Sequence, residues 1–348
     1  MSSLTKAIRI GDVLIGGGNP VAVQTMSTLR LKETEKAIES CRRLKSVGCD
    51  VIRFSVVDEE DARAIKTVKE NIDIPLVADI HFDYSLAIKS LENGADKIRI
   101  NPGNIGGEDK VKKVAEALKF YNKPVRVGSN TGSIEKEFLE KYGRSAVALA
   151  ESALKSVASL EKYGVSDVVV SVKASDVKTT TEAYKYVSAR TDYPLHVGVT
   201  EAGTEYNGVV KNSIGIGSLL LNGIGDTIRV SLSADPEREV VAGRAILSAL
   251  GLLDCVDVVA CPTCGRCEWD CMRFASEVQS YVANVKKKLK IAVMGCVVNG
   301  PGEGKEADLG IAGGKDCCLI FSQGEILKKV PKDRAKEEFF REIDKCIR

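Results

Sequence analysis

The chain has 348 residues, 44% of them hydrophobic and 28% charged, which is enough for a full core and long enough for two domains. Its 50 basic and 48 acidic side chains leave a formal charge of +2, so no global field favours nucleic acid or an anionic membrane. No signal-like apolar run opens the sequence and no apolar stretch reaches about 20 residues; a soluble cytoplasmic protein, bound to neither membrane nor nucleic acid, is expected.

The opening Ile8–Ile15 segment, broken by Gly11-Asp12, predicts a hairpin that caps one end of the fold. From residue 20 to 250 one pattern then repeats: a short β-branched run, followed by a longer Ala-, Leu-, Lys- and Glu-rich stretch with helical spacing. The strand runs are Val21–Met26, Val51–Val56, Pro75–Ile80, Lys97–Asn101, Pro124–Ser129, Asp167–Lys173, Leu195–Val199 and Thr227–Leu232. Helices are expected between them, among others over Glu33–Val47, Glu59–Glu70, Asp109–Lys119, Arg144–Tyr163 and Lys211–Asn222. Eight such units predict an α/β fold, a (β/α)8 TIM-type barrel, with an open doubly wound sheet as the alternative. Ile214-Gly-Ile-Gly217 lacks the full dinucleotide fingerprint and is read as packing.

Four strand runs carry an arginine between apolar neighbours, Arg53, Arg99, Arg126 and Arg229, and Lys173 ends a fifth. Charged groups are almost never fully buried unless paired. One such arginine is ordinarily a structural ion pair, whereas five cations converging on a barrel's C-terminal mouth describe an anion site. The planar guanidinium fork fits phosphate oxygens. Asn101–Gly106 and Gly128–Ser133 read as loops that expose backbone N–H groups to the same anion. Of the only two histidines, His81 shares a strand face with Asp79, and His196 is read equally as a core residue. Glu201, just past the seventh strand run, is the candidate for proton transfer; Asp79 and Glu201 alternatively only orient the basic groups.

Eleven cysteines are many for a reducing compartment, and clustered ones point to metal or redox chemistry rather than disulfides. Cys41, Cys49 and Cys346 stand apart and are read as packing residues. Cys261, Cys264, Cys267 and Cys271 follow C-x2-C-x2-C-x3-C, the ferredoxin spacing, with Met272 where proline is usual. Such thiolates take zinc or an iron–sulfur cluster.

Val259-Ala-Cys-Pro-Thr-Cys-Gly-Arg266 and Met294-Gly-Cys-Val-Val-Asn-Gly-Pro-Gly-Glu303 resemble the 4-hydroxy-3-methylbut-2-enyl diphosphate synthases of the methylerythritol phosphate route to isoprenoids. The barrel segments ADIHF, RINPGNIG, SVKASD, VTEAG and GIGDTIRVSL resemble them too, so the likeness spans nearly the whole chain, in the short bacterial form. It implies a barrel over residues 1–253 that binds the substrate diphosphate, and a smaller α+β domain over 254–348 that holds a [4Fe-4S] cluster. The implied cluster ligands are Cys261, Cys264, Cys296 and, unusually, Glu303, a harder and more exchangeable donor than thiolate. The implied diphosphate positions are Arg53, His81, Arg99, Arg126, Lys173 and Ser231, with Asn130 and Glu201 touching substrate. Cys267 and Cys271 depart from the family pattern and are left as reserve ligands or oxidation-sensitive thiols.

The activity so implied is reductive ring opening and dehydration of 2-C-methyl-D-erythritol 2,4-cyclodiphosphate to 4-hydroxy-3-methylbut-2-enyl diphosphate. Ferredoxin or flavodoxin supplies the electrons, and the enzyme is a homodimer in which one chain's cluster domain covers the other's barrel. Two rival readings use the same cysteines: a ferredoxin-like electron carrier on Cys261, Cys264, Cys267 and Cys271, and a zinc-stabilised barrel that binds phosphorylated ligands.

Overall fold

The computed structural model describes residues 4–348 except Asn284 and Asn299, and Glu303 without its side chain. The chain divides into two compact units, one ending at Leu250 and the other spanning Gly251–Arg348.

The first unit opens with a hairpin of β1 (Ile8–Ile10) and β2 (Val13–Ile15), paired antiparallel as the sequence predicts. Eight strands follow: β3 (Ala22–Met26), β4 (Val51–Ser55), β5 (Leu76–Asp79), β6 (Lys97–Ile100), β7 (Val125–Asn130), β8 (Val168–Lys173), β9 (His196–Val197) and β10 (Thr227–Ile228). They form one parallel sheet in the order β8-β7-β6-β5-β4-β3-β10-β9. A parallel bridge from Val170 of β8 to Leu195, just ahead of β9, closes the ring. The result is a (β/α)8 barrel, because each crossover carries a helix that covers the outer face.

Local sequence sets the helix starts. Asp58, Ser145 and Asp176 each accept a hydrogen bond from the backbone N–H three residues on, and so satisfy a donor the helix leaves unpaired. The helix before β10 begins at Glu205, six residues ahead of the predicted Lys211. Its early part, Glu205–Val210, is largely exposed and lacks the apolar face that marks the rest. Gly215 lies inside this helix, where an added Cβ would come within 2.7 Å of Val199 Cγ2, so the packing role read for this glycine pair holds for Gly215.

The hairpin plugs the lower end of the barrel. Ile8, Ile10 and Ile15 pack on Ala22, Val51, Val77 and Val169, which belong to β3, β4, β5 and β8. Ile10 and Ile15 are fully buried. Ile10→Ala should cost about 2–5 kcal/mol, the range for cavity-forming changes of this type. Chemical denaturation of the variant checks this; an unchanged midpoint would mean that the plug packs loosely.

The second unit is α+β. Its sheet has the order β11 (Val256–Ala260), β12 (Leu289–Met294), β13 (Leu309–Gly313), β14 (Cys317–Ser322) and β15 (Glu325–Pro331). The first three strands are parallel, and β14 and β15 are antiparallel. Helices Cys271–Tyr281 and Ala335–Ile347 cover one face through Phe274, Val278, Phe339 and Ile343.

Candidate functional site

Strand alternation carries the basic residues inward. The register sets Asp79 opposite Arg99 and Arg99 opposite Arg126 across three adjacent strands. Asn130 stands opposite Lys173 at the ends of β7 and β8. These ends open into a cavity of about 260 Å3 lined by Arg53, Asp79, His81, Arg99, Arg126, Asn130, Lys173, Arg229 and Ser231. That is below the roughly 300–1,000 Å3 of sites for drug-sized ligands and suits a small anion. Met26, Asn101, Asn104, Ser133, Ser171, Val199 and Thr200 complete the wall.

Two glycines make room for this packing. A Cβ on Gly128 would stand 3.1 Å from Arg99 Nε, so the guanidinium lies across β7 where that strand has no side chain. A Cβ on Gly198 would meet the Arg229 carbonyl oxygen at 2.2 Å and Lys173 Nζ at 3.1 Å. Any larger residue at position 198 therefore displaces backbone at the mouth.

Positive charge exceeds negative charge here. Asp79 reaches Arg53 Nε at 3.5 Å and Arg99 Nη1 at 3.1 Å. Glu239 holds Arg229 through two nitrogens, at 3.0 and 3.1 Å, and also accepts from Thr25 Oγ1 and Leu232 N. Arg126, Lys173 and Lys97 are buried, and among the described residues none of them has an ion pair. Burial therefore pushes Arg126 and Lys173 far below their ordinary pKa values, and neighbouring cations push them further. Arg53 falls to about 10, chiefly through burial, despite Asp79. Burial alone would raise Asp79, but Arg53, Arg99 and Arg126 outweigh it and hold the carboxyl at about 2.

Unpaired donors point to what the cavity takes. Arg99 Nε and Arg126 Nε and Nη1 are buried with no hydrogen bond among the described residues, and Arg53 Nε, 3.5 Å from Asp79, makes none either. Among the described residues Arg53 Nη2 finds only the Met26 thioether, at 2.8 Å. Buried donors left this way cost about 1–3 kcal/mol each, more when charged. An anion bridging Arg53, Arg99 and Arg126 would supply the missing oxygens.

The structure brings Arg53, His81, Arg99, Arg126, Asn130, Lys173 and Ser231 to one cavity. His81 is exposed at its rim, with Nε2 3.4 Å from Arg99 Nη1. Glu201 stands apart: it is exposed, lies outside the cavity wall, and adopts a left-handed backbone, φ +52°. Part of the backbone of the two loops is engaged within the loops themselves. The Gly103 and Asn104 N–H groups are taken by Asn101, and the Asn130 N–H by Ser133 Oγ. Asn101, Asn104, Asn130 and Ser133 of these loops line the cavity. His196 is a core residue, fully buried, with Nδ1 2.7 Å from Thr227 Oγ1, and burial drives its pKa far down.

In the second unit, Cys261 directly follows β11 and its N–H donates to the Val293 carbonyl at 3.0 Å. Cys296 follows β12, the parallel neighbour, so both lie beyond the C-terminal edge of the same strand pair. Cys264 is exposed on the intervening loop. Among the described residues no three His, Cys, Asp or Glu side chains stand at metal-binding distance. The Glu303 side chain lies outside the described residues, although its backbone ends the short helix Gly300–Glu303 after Cys296. The donor set and its placement on one strand edge fit a thiolate-held cluster. The Cys267 and Cys271 Sγ atoms donate to the carbonyls of Trp269 (3.1 Å) and Val293 (3.5 Å). Cys271 is 1% exposed, and burial raises its thiol to about 12.

Comparison with known proteins agrees with this arrangement. The GcpE TIM-barrel domain matches residues 5–244 and the GcpE protein C-terminal domain matches residues 257–345. The chain is 56% identical, over 100% of its length and 99% of theirs, to the 4-hydroxy-3-methylbut-2-en-1-yl diphosphate synthase (flavodoxin) of Caldanaerobacter subterraneus subsp. tengcongensis. To the enzyme of the same name from Caldicellulosiruptor saccharolyticus it is 52% identical over 98% of each chain. Among solved structures, a truncated 3-deoxy-D-arabino-heptulosonate 7-phosphate synthase from Thermotoga maritima shares the barrel alone. It has a TM-score of 0.51 and 16% identity over 71% of this chain and 94% of that one. With both domains matched in order and full-length relatives above half identity, the chain belongs to the GcpE family.

Proposed function

We propose that this protein is an oxidoreductase that opens and dehydrates 2-C-methyl-D-erythritol 2,4-cyclodiphosphate to 4-hydroxy-3-methylbut-2-enyl diphosphate, the product named for its relatives. The observation that carries this reading is the excess of buried cations in the barrel mouth, with guanidinium N–H groups that lack acceptors. Flavodoxin is the electron donor in the relatives' names and is proposed here over ferredoxin. The setting proposed is the reducing cytoplasm, where free thiols persist. No helix among the described residues is long and apolar enough to cross a membrane.

In this reading residues up to 253 hold the diphosphate and residues 254–348 hold the cofactor. Arg53, Arg99 and Arg126 bind the diphosphate oxygens by charge-assisted hydrogen bonds, joined by Lys173, His81 and Ser231. Asn130 orients the carbon skeleton. As the ring C–O bond breaks, charge grows on a phosphate oxygen, and fixed cations in a dry site favour that change most. Glu201 is proposed to deliver a proton, which requires its exposed carboxylate to turn toward bound substrate. Cys261, Cys264, Cys296 and Glu303 would hold a [4Fe-4S] cluster, which supplies electrons singly. A ferredoxin-type carrier on the close run would leave the basic mouth of the barrel without a role.

Anaerobic purification with iron and sulfide analysis, followed by turnover of the cyclic diphosphate with reduced flavodoxin, tests the reading. About four irons per chain are expected; zinc in their place would support the stabilised-barrel alternative. Arg53→Ala, Arg99→Ala and Arg126→Ala should each weaken substrate binding by about 1.5–3 kcal/mol with the fold intact. Full affinity in any of them removes that residue from the site. A homodimer with sites shared between chains is also proposed. Mixed Arg126→Ala and Cys264→Ala chains should then regain activity that neither has alone, and heterodimers that stay inactive would refute it.

A further inference from the structure

Below the arginines lies a group that the diphosphate reading leaves without a role. Lys97 begins β6 and is fully buried, two residues before Arg99, so both side chains face the barrel interior. Its Nζ has one hydrogen-bond partner among the described residues, Gln24 Oε1 at 3.4 Å, and no ion pair. The titratable groups that reach it across the barrel interior are Arg53 on β4, Arg126 on the adjacent β7 and His196 on β9. The interior carboxylates are already engaged, Asp79 by Arg53 and Arg99, and Glu239 by Arg229. A charged ammonium in that position would be desolvated and repelled from two sides, with no counter-charge. The same burial and repulsion push the Lys97 pKa far down.

We propose that Lys97 is a proton-accepting positioning residue: uncharged beneath the empty mouth, it takes up a proton when a diphosphate enters above it. The incoming anion supplies the counter-charge the interior lacks, so it favours the ammonium form of a lysine it need not touch. Opening a cyclic diphosphate exchanges an ester oxygen for an ionised one, so the demand for positive charge grows as the reaction proceeds. The inference rests on the diphosphate reading of the cavity and adds a linkage: anion binding is coupled to proton uptake.

The sign follows from that linkage. A group whose pKa rises on binding strengthens binding below its bound value, and this gain is lost as pH rises through that value. Affinity should therefore fall as pH rises while an ordinary lysine would stay charged and contribute no slope.

The test is calorimetric titration in buffers of differing ionisation enthalpy, on wild-type protein, Lys97→Met and Lys97→Gln. One probe is inorganic diphosphate, whose own titration is common to all three proteins and cancels in the differences. The second is methanedisulfonate, which stays doubly charged throughout. Wild type should take up about one proton more per anion bound than either variant, with a correspondingly steeper loss of affinity with pH. Equal uptake in all three proteins overturns the role of Lys97 and leaves the diphosphate site standing. Wild-type binding of methanedisulfonate without proton uptake also overturns it, even if neither variant folds. Failure of wild type to bind either probe sinks the diphosphate reading together with the inference.

Discussion

Alanine at any one of Cys261, Cys264 or Cys296 should reduce turnover to background and leave purified protein without its brown colour and its iron. A cluster held by few protein donors does not survive the loss of one thiolate, because neutral alanine offers no substitute ligand. Glu303→Ala should be milder in assembly, giving a labile cluster, but equally inactive. The informative controls are the two other thiols of the close run. Cys271 is buried under β12 and donates to a backbone carbonyl, so Cys271→Ala should keep its iron and lose only some stability. Iron retained in Cys296→Ala but lost in Cys271→Ala would assign the cluster to the ferredoxin-like run instead.

Asp79→Asn should destabilise the anion-free protein by about 3–5 kcal/mol, the range for removing one partner of a buried ion pair. Asp79 is one of two carboxylates that pair with the interior arginines, and the other, Glu239, is committed to Arg229. The stabilisation is one-sided, since burial lowers Arg53 to about 10 even with Asp79 beside it. The pair is thus no strong source of stability, yet losing its anion leaves two cations exposed to each other. A carboxyl held at about 2 gives stability that is present above the unfolded value and lost as pH falls from about 4 through 2. The variant should lack that acid limb. Inorganic diphosphate should raise its melting temperature more than that of wild type, by filling the vacated negative charge. A variant that melts like wild type without anion would show that the mouth does not depend on Asp79.

Much of this was legible in the amino-acid order. The eight strands stood out because each is a short β-branched run, and the arginines within them because charge in a barrel strand needs a reason. Lys97 was missed because a lysine at a strand's first position normally reaches solvent. The signal was present all the same: if Arg99 points inward, alternation places Lys97 inward too. The second unit gave only its cysteine spacing, and spacing cannot separate a metal ligand from a core thiol. Cys267 and Cys271 share the ferredoxin interval, but the helix starting at Cys271 turns that sulfur toward Val293 and the packed core. Loop chemistry was equally hidden, since whether a backbone N–H faces a ligand or its own turn depends on side-chain bonds such as Ser133 to Asn130.

The buried cysteines that play no part in the proposed chemistry make the chain its own unfolding reporter. Cys41 and Cys49 lie in the barrel core and Cys271 in the core of the second unit, each raised to about 12 by burial. A thiol so protonated and covered reacts with an alkylating reagent only when its surroundings open. Labelling rates at Cys41 and Cys49 therefore count openings of the first unit, and those at Cys271 count openings of the second. Peptide mapping after timed exposure would show whether the two halves breathe together or separately, with no engineered probe and no change to the sequence.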